Sequence, residues 1–197
     1  MPSLDAGYYD EYYLKEIGFR RLGHNVRIAK DCTIVGTDKI AIGDNVRIDS
    51  YASILVNGPQ AFLELGSNVH IGGGCYLGCN LGIKLDDFSG LSHGVRIFSQ
   101  SDDYSGQHLT NPTVPSQYAG VSGGPVHLHR HVIVGAGSVI LPKVTLGEGA
   151  AIGAQSLVTK NLEAWGVYFG IPVKRLKTRS DALLELEKQY KDSQSSI

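Results

Sequence analysis

The stretch from Val126 to Asn161 repeats every six residues. It reads Leu128-His-Arg-His-Val-Ile, Val134-Gly-Ala-Gly-Ser-Val, Ile140-Leu-Pro-Lys-Val-Thr, Leu146-Gly-Glu-Gly-Ala-Ala, Ile152-Gly-Ala-Gln-Ser-Leu and Val158-Thr-Lys-Asn-Leu-Glu. An aliphatic residue opens every block, and small or β-branched residues usually fill the fifth place. Neither an α-helix nor an ordinary strand sustains that period, so the repeat sets the architecture. Each block supplies one short strand and one corner. The aliphatic opener points inward, and glycine beside it lets the backbone turn without a Cβ clash. Stacked coils then bury a continuous aliphatic column, with strands paired between coils. The spacing predicts an all-β solenoid.

The period extends upstream. Leu22-Gly-His-Asn-Val-Arg and Ile28-Ala-Lys-Asp-Cys-Thr begin it, and Ile40-Ala-Ile42-Gly-Asp-Asn-Val-Arg-Ile48 recurs as Leu63-Glu-Leu65-Gly-Ser-Asn-Val-His-Ile71. Asn45 and Asn68 tolerate left-handed backbone and suit tight corners. The period stops after Ile97 and resumes at Val126. Residues 99–125 form one long excursion without the repeat, and its prolines predict an ordered loop. Residues 1–20 are read as an N-terminal cap, residues 21–178 as the solenoid, and residues 179–197 as a C-terminal helix and tail. The cap holds a helix over 5–18, with Asp5 capping and Gly18 ending it, plugging the open solenoid end. The last helix runs from Asp181 to Tyr190 behind a Ser180 cap, with Ala182, Leu183, Leu186 and Tyr190 on one face. The final residues read as disordered.

Composition narrows the function classes. The 197 residues suffice for one well-buried domain. A net charge of −1 provides no field for nucleic acid. An apolar run of about 18 residues is missing, so no membrane span is expected. The first residues have neither basic nor apolar signal regions, so the reading is cytoplasmic. Three cysteines in no metal-ligand spacing fit a reducing compartment, with Cys32 and Cys75 in small buried slots.

The six blocks and their upstream continuation resemble the hexapeptide-repeat acyltransferases, which fold as a left-handed parallel β-helix. The likeness spans roughly residues 20 to 178. Tyr168-Phe-Gly-Ile-Pro-Val-Lys-Arg is similar to the family's C-terminal signature Y-x-G-x-P-A-K. The resemblance implies a homotrimer with acetyl-CoA in a cleft between subunits and a long loop reaching over the neighbour. It implies backbone contacts to the cofactor at Gly135, Ala136, Gly153 and Ala154, and basic contacts from Lys160, Lys174 and Arg175, with Lys177 beside them. On the acceptor side it implies Asn80, with Tyr104 and His108 from the excursion.

Acyl transfer to an amine or hydroxyl requires a proton to leave the nucleophile. Related sugar acetyltransferases place a histidine just after the coil preceding the loop. Here that slot holds Asp102, followed by Asp103. His93 and His131, at corners before the excursion and after it, are further candidates for the base or for orienting Asp102. A carboxylate works as a base near neutrality when its pKa is raised, and a free sugar amine needs less help than a hydroxyl. The missing histidine therefore tilts the reading towards N-acetylation, with N- and O-transfer both open. The plain alternative for Asp102 and Asp103 is capping of loop amides.

The expected function is an acetyl-CoA-dependent acetyltransferase acting on a sugar, most simply a nucleotide-linked amino sugar for surface polysaccharide (O-antigen) synthesis. No resident metal is assigned. Two rivals share the solenoid. A zinc enzyme of the γ-type carbonic anhydrase kind would use histidines such as His93, His127, His129 and His131. A non-catalytic scaffold would bind no CoA.

Overall fold

The computed structural model describes residues 6–194 and is a left-handed parallel β-helix of about seven turns. Three sheets form its walls, of six, eight and six strands, all parallel except the last strand of the second. Register follows the repeat. On the first wall Leu22, Ile42, Leu65, Leu85, Leu128 and Leu146 stand in one column, each beside the next. Ile28, Ile48, Ile71, Leu91, Val134 and Ile152 form the second. Ile34, Ile54, Leu77, Ile97, Ile140 and Val158 form the third. From Ile42 to Val158 these side chains are sealed from solvent. Burial of three aliphatic columns is the main stabilising force, since each contributes about 1.5–3 kcal/mol relative to exposure.

Asn25, Asn45, Asn68, Phe88 and His131 take φ of 53°, 56°, 59°, 58° and 60°. They occupy the same corner on successive coils, and from Asn45 on each amide donates to the coil before it, as Asn68 does to the Asp44 carbonyl at 2.8 Å. The first three are asparagine because that side chain tolerates this backbone well. Phe88 and His131 hold the same geometry through tertiary contacts.

The N-terminal helix is shorter than the sequence reading, Glu11–Glu16, and Asp10 caps it by accepting from the Tyr13 amide at 2.8 Å. The expected cap, Asp5, lies outside the described residues. Gly18 follows the helix at φ +82°. Leu14 is buried in the core and Tyr9, Ile17 and Phe19 pack against it, so the helix closes the first coil.

The excursion is not free of secondary structure. Gln100–Asp102 pairs antiparallel with Val121–Gly123. This ribbon is rooted at buried Ser99, whose Oγ donates to the Gly78 carbonyl at 2.7 Å and accepts from the Leu81 amide at 3.0 Å. Gly123 is required there, because a Cβ would sit 2.4 Å from the Ser99 carbonyl.

At the far end Gly166–Gly170 extends the second wall, and Val173–Thr178 reverses against it as an antiparallel edge. Lys174, Arg175 and Lys177 guard that edge with charge. The last helix is Leu183–Gln194, shifted from the expected 181–190, and the Ser180 hydroxyl accepts from the Ala182 amide at 3.2 Å. It does not dock by an apolar stripe: Leu186 is 64% exposed and the buried residue is Glu187. Of the residues after Tyr190 that were read as disordered, those up to Gln194 continue the helix, and residues 195–197 lie outside the described ones.

Cys75 and Cys79 are buried and Cys32 is half-buried. Burial pushes the Cys75 thiol up to about 11 and the Cys79 thiol higher, with a smaller rise at Cys32. Alkylation of the native protein at mildly alkaline pH should therefore modify Cys32 slowly and the other two only after denaturation. Mass spectrometry finding native-state label on Cys79 at the unfolded rate would contradict this core.

Candidate active site

The excursion presents the candidate chemistry. Ser101 and Asp102 are neighbours on one strand, so their side chains leave opposite faces of the ribbon. Ser101 and Ser122, a register pair, turn towards the solenoid. There they line a cleft of about 460 Å³ with Tyr104, Leu141, Pro142, Lys143 and Thr159. Asp102 is exposed on the other face, and among the described residues its carboxylate has no hydrogen-bond partner.

Asp103 is the opposite case. Its carboxylate accepts from the amides of Ser105 at 2.7 Å, Gln107 at 3.1 Å and His108 at 3.0 Å, and meets His108 Nδ1 at 3.0 Å. The Ser105 contacts and then His108 hold it well below the usual carboxylate range. Such a group accepts a proton poorly near neutrality. Of the two readings open for Asp103 in the sequence, this geometry supports capping of loop amides. His108 is tied into the same knot and packs on Gly120, where a Cβ would come within 2.5 Å of its ring. Tyr104 is 93% exposed.

The two corner histidines separate. His93 is exposed, its carbonyl accepting from the Gly137 amide at 2.9 Å. His131 does not face an open cleft. It is 7% exposed, stacks on Phe88 with ring centroids 5.2 Å apart, and meets Glu187 Oε2 at 2.7 Å through Nε2. The C-terminal helix covers it, which the six-residue period could not reveal. Its reading as a cleft-facing catalytic group is corrected to that of a docking residue.

Lys160, Lys174 and Arg175, the cations expected to meet the cofactor, converge. They line one groove of about 340 Å³ with Asn161, Glu163 and Tyr168, and Arg175 Nη1 lies 3.4 Å from Glu163. Residues 14 apart in sequence meet because Val173–Thr178 doubles back along the wall. Three cations at one groove suit a polyphosphate. Gly135 and Gly153 have a packing role in the solenoid as well. A Cβ on Gly135 would strike the Ala154 amide nitrogen at 2.4 Å, and one on Gly153 would strike the Phe169 ring at 2.4 Å. They allow coils to stack; Ala136 and Ala154, on the half-exposed to exposed surface beside them, remain the candidate backbone donors. Asn80 is half-buried near the foot of the ribbon.

Sequence reasoning missed Lys143, Thr159 and Ser122 in the ribbon cleft. No local signal marks them, because the cleft forms only where the ribbon folds back onto the third wall. The proposed histidine constellation for zinc does not assemble: His131 belongs to Glu187, while His127 and His129 both meet Asp86.

The pattern described as bacterial transferase hexapeptide (six repeats) matches residues 125–160. The dTDP-4-amino-4,6-dideoxy-D-glucose acyltransferase of Escherichia coli is 40% identical over 186 residues, 94% of this chain and 96% of that protein. AntD, an N-acyltransferase from Bacillus cereus solved with dTDP and 3-hydroxybutyryl-CoA, superposes with a TM-score of 0.91 at 38% identity, covering 98% of this chain and 100% of that one. A variant of AntD solved with dTDP-4-amino-4,6-dideoxyglucose and coenzyme A gives 0.91 and 38%, covering 97% and 100%. These relations leave no place for the carbonic anhydrase or scaffold readings. No described helix is long and apolar enough to cross a membrane. A six-residue repeat along the walls, a ribbon offering a carboxylate, a groove of cations and relatives matched over nearly their whole length lead to one conclusion: the chain belongs to the hexapeptide-repeat transferases and is an acyl-CoA-dependent acyltransferase.

Proposed function

We propose that this enzyme transfers an acyl group from acyl-CoA to the sugar amine of a dTDP-linked 4-amino-4,6-dideoxyhexose. The observation that carries the reading is the match to the Escherichia coli acyltransferase over 94% of this chain and 96% of that one, which includes the excursion as well as the walls. The amine nitrogen attacks the thioester carbonyl, the C–N bond forms and the C–S bond breaks. Backbone amides at Ala136 and Ala154 are the candidates to hold the oxyanion. Asp102 attracts the sugar ammonium by charge and takes the proton it must lose, and a proton finally leaves with the thiol of CoA. Lys160, Lys174 and Arg175 hold the cofactor phosphates.

Asp102 faces away from its own protomer's ribbon cleft, which supports a site completed by a sister subunit of a homotrimer. The acyl group is acetyl or a small hydroxyacyl chain. The place of action is the cytoplasm, and the product serves surface polysaccharide such as O-antigen.

The test is CoA release with purified protein. A dTDP-4-amino-4,6-dideoxyhexose should exceed its 4-hydroxy counterpart and a simple galactoside by at least about a hundredfold in kcat/KM, because polar groups built to hold an acceptor lose far more than one contact when it is absent. A galactoside turned over as fast as the amino sugar would overturn the reading.

A further inference from the structure

Outside the candidate active site, the outer face of the first wall gathers two imidazoles and a carboxylate. Strand Ile83–Leu85 lies beside Val126–Leu128, with Lys84 opposite His127 and Leu85 opposite Leu128. Leu85 and Leu128 point inward, so alternation sends Lys84, Asp86, His127 and His129 outward together. Asp86 Oδ2 lies 2.8 Å from His127 Nε2 and 3.2 Å from His129 Nδ1. The imidazole rings are 4.0 Å apart at 44°. Lys84 Nζ holds the other oxygen, Oδ1, at 3.2 Å.

We infer that Asp86, His127 and His129 form a transition-metal site, suited to zinc, that clamps the coil before the excursion to the coil after it. The three donor atoms lie within 4.8 Å of one another. Zinc bonds of about 2.0–2.2 Å in tetrahedral geometry set donor atoms about 3.3–3.5 Å apart. The two measured separations reach that range by ring movements of a few tenths of an ångström. Two imidazole nitrogens select zinc and its neighbours over magnesium or calcium. The backbone is already fixed: the Asp86 amide donates to the Leu128 carbonyl at 2.8 Å and the His129 amide to the Leu146 carbonyl at 3.0 Å. Lys84 on Oδ1 orients the carboxylate so that Oδ2 meets the metal, the kind of support that ligating carboxylates generally receive. The side chains are 27%, 41% and 20% exposed for His127, His129 and Asp86, which leaves a face open for a water ligand.

The position gives the site a purpose. Leu128 follows Leu85 by 43 residues, against 18 between Leu128 and Leu146. The metal therefore bridges the two ends of the one coil that carries the excursion.

The experiment uses the untagged full chain stripped with chelator. Titration with zinc chloride, read by calorimetry, should show one saturable equivalent per chain and a raised melting midpoint. His127→Ala and Asp86→Asn should each weaken binding by at least about tenfold. His70→Ala, removing an imidazole that pairs instead with Asp49, should leave it unchanged. Cobalt titration of the unsubstituted chain gives a readout independent of variant folding: visible bands of a four-coordinate nitrogen–oxygen site are expected. The absence of saturable zinc uptake overturns the inference, as does uptake kept in a His127→Ala, His129→Ala double variant, or a cobalt spectrum no different from that of the hydrated ion.

Discussion

Replacing Asp102 by asparagine should lower turnover by about 10²–10³, the usual contribution of a positioned proton acceptor. That factor corresponds to about 3–4 kcal/mol of barrier. Acyl-CoA affinity should stay within about threefold, because the cations assigned to the cofactor lie on the last coil and not on the ribbon. The shape of the side chain is kept and its charge and basicity are lost, so the variant isolates those two properties. A sugar amine arrives largely protonated at neutral pH. In the variant, raising the pH should therefore recover part of the rate, as solvent does what the carboxylate no longer does. Steady-state kinetics across pH, with cofactor affinity measured separately, checks both statements. Turnover within about threefold of the parent at neutral pH would remove Asp102 from the mechanism. Asp103→Asn should behave differently. It weakens the acceptor for three loop amides and His108, so disorder of residues 103–108 and a raised acceptor KM are expected.

Glu187→Ala should give the largest loss of stability among polar substitutions. Glu187 is the buried residue of the C-terminal helix and meets Arg130, His131 Nε2 at 2.7 Å and Lys191 Nζ at 2.6 Å. Removing it takes the carboxylate from a buried imidazole and from two cations, of which Arg130 keeps Glu148 at 3.9 Å. Loss of one partner of a fully buried pair costs about 3–5 kcal/mol. Arg130 and Lys191 are 40% and 56% exposed and water reclaims part of that, so about 2–3 kcal/mol is expected. For a chain of this size the melting midpoint should fall by roughly 5–10 °C. Hydrogen exchange should quicken first in the Leu183–Gln194 helix, which this residue docks.

The same carboxylate makes the docking pH-dependent. Burial alone would raise its pKa, but hydrogen bonds from Lys191 and His131 and the charge of Arg130 outweigh burial and leave it below its ordinary value. A carboxyl group lowered in the folded state contributes stability above its unfolded pKa and loses it as the pH falls through the folded one. The parent should lose helix protection as the medium is acidified below about 4.5, while Glu187→Gln should start weaker and lack this component. Equal acid sensitivity in both would assign the effect to other carboxylates, such as Asp49 beside Arg47 and His70.

The division between sequence and tertiary structure follows from the range of the forces. Inward aliphatics every sixth position were enough to name the walls, because a column such as Leu65, Leu85, Leu128 and Leu146 is written into the chain as a period. Left-handed corners at Asn45 and Asn68 were legible for the same reason: the demand on φ is local. The interruption after Ile97 was equally plain, since a missing period is itself a local observation. The ribbon inside it was not, because Gln100–Asp102 finds its partner some twenty residues away. His131 and Asp103 show the limit most clearly. Each resembled a catalytic group by residue type and position, and each is committed elsewhere, one to a helix arriving 56 residues later and one to the amides of its own loop. Asp86 carried no signal until Leu85 and Leu128 came into register and brought two imidazoles beside it. The sequence alone determined the fold of the walls and the residue types available for chemistry. The tertiary structure decided which of those groups remain free to act, because a side chain's pairing depends on neighbours that no sequence period contains.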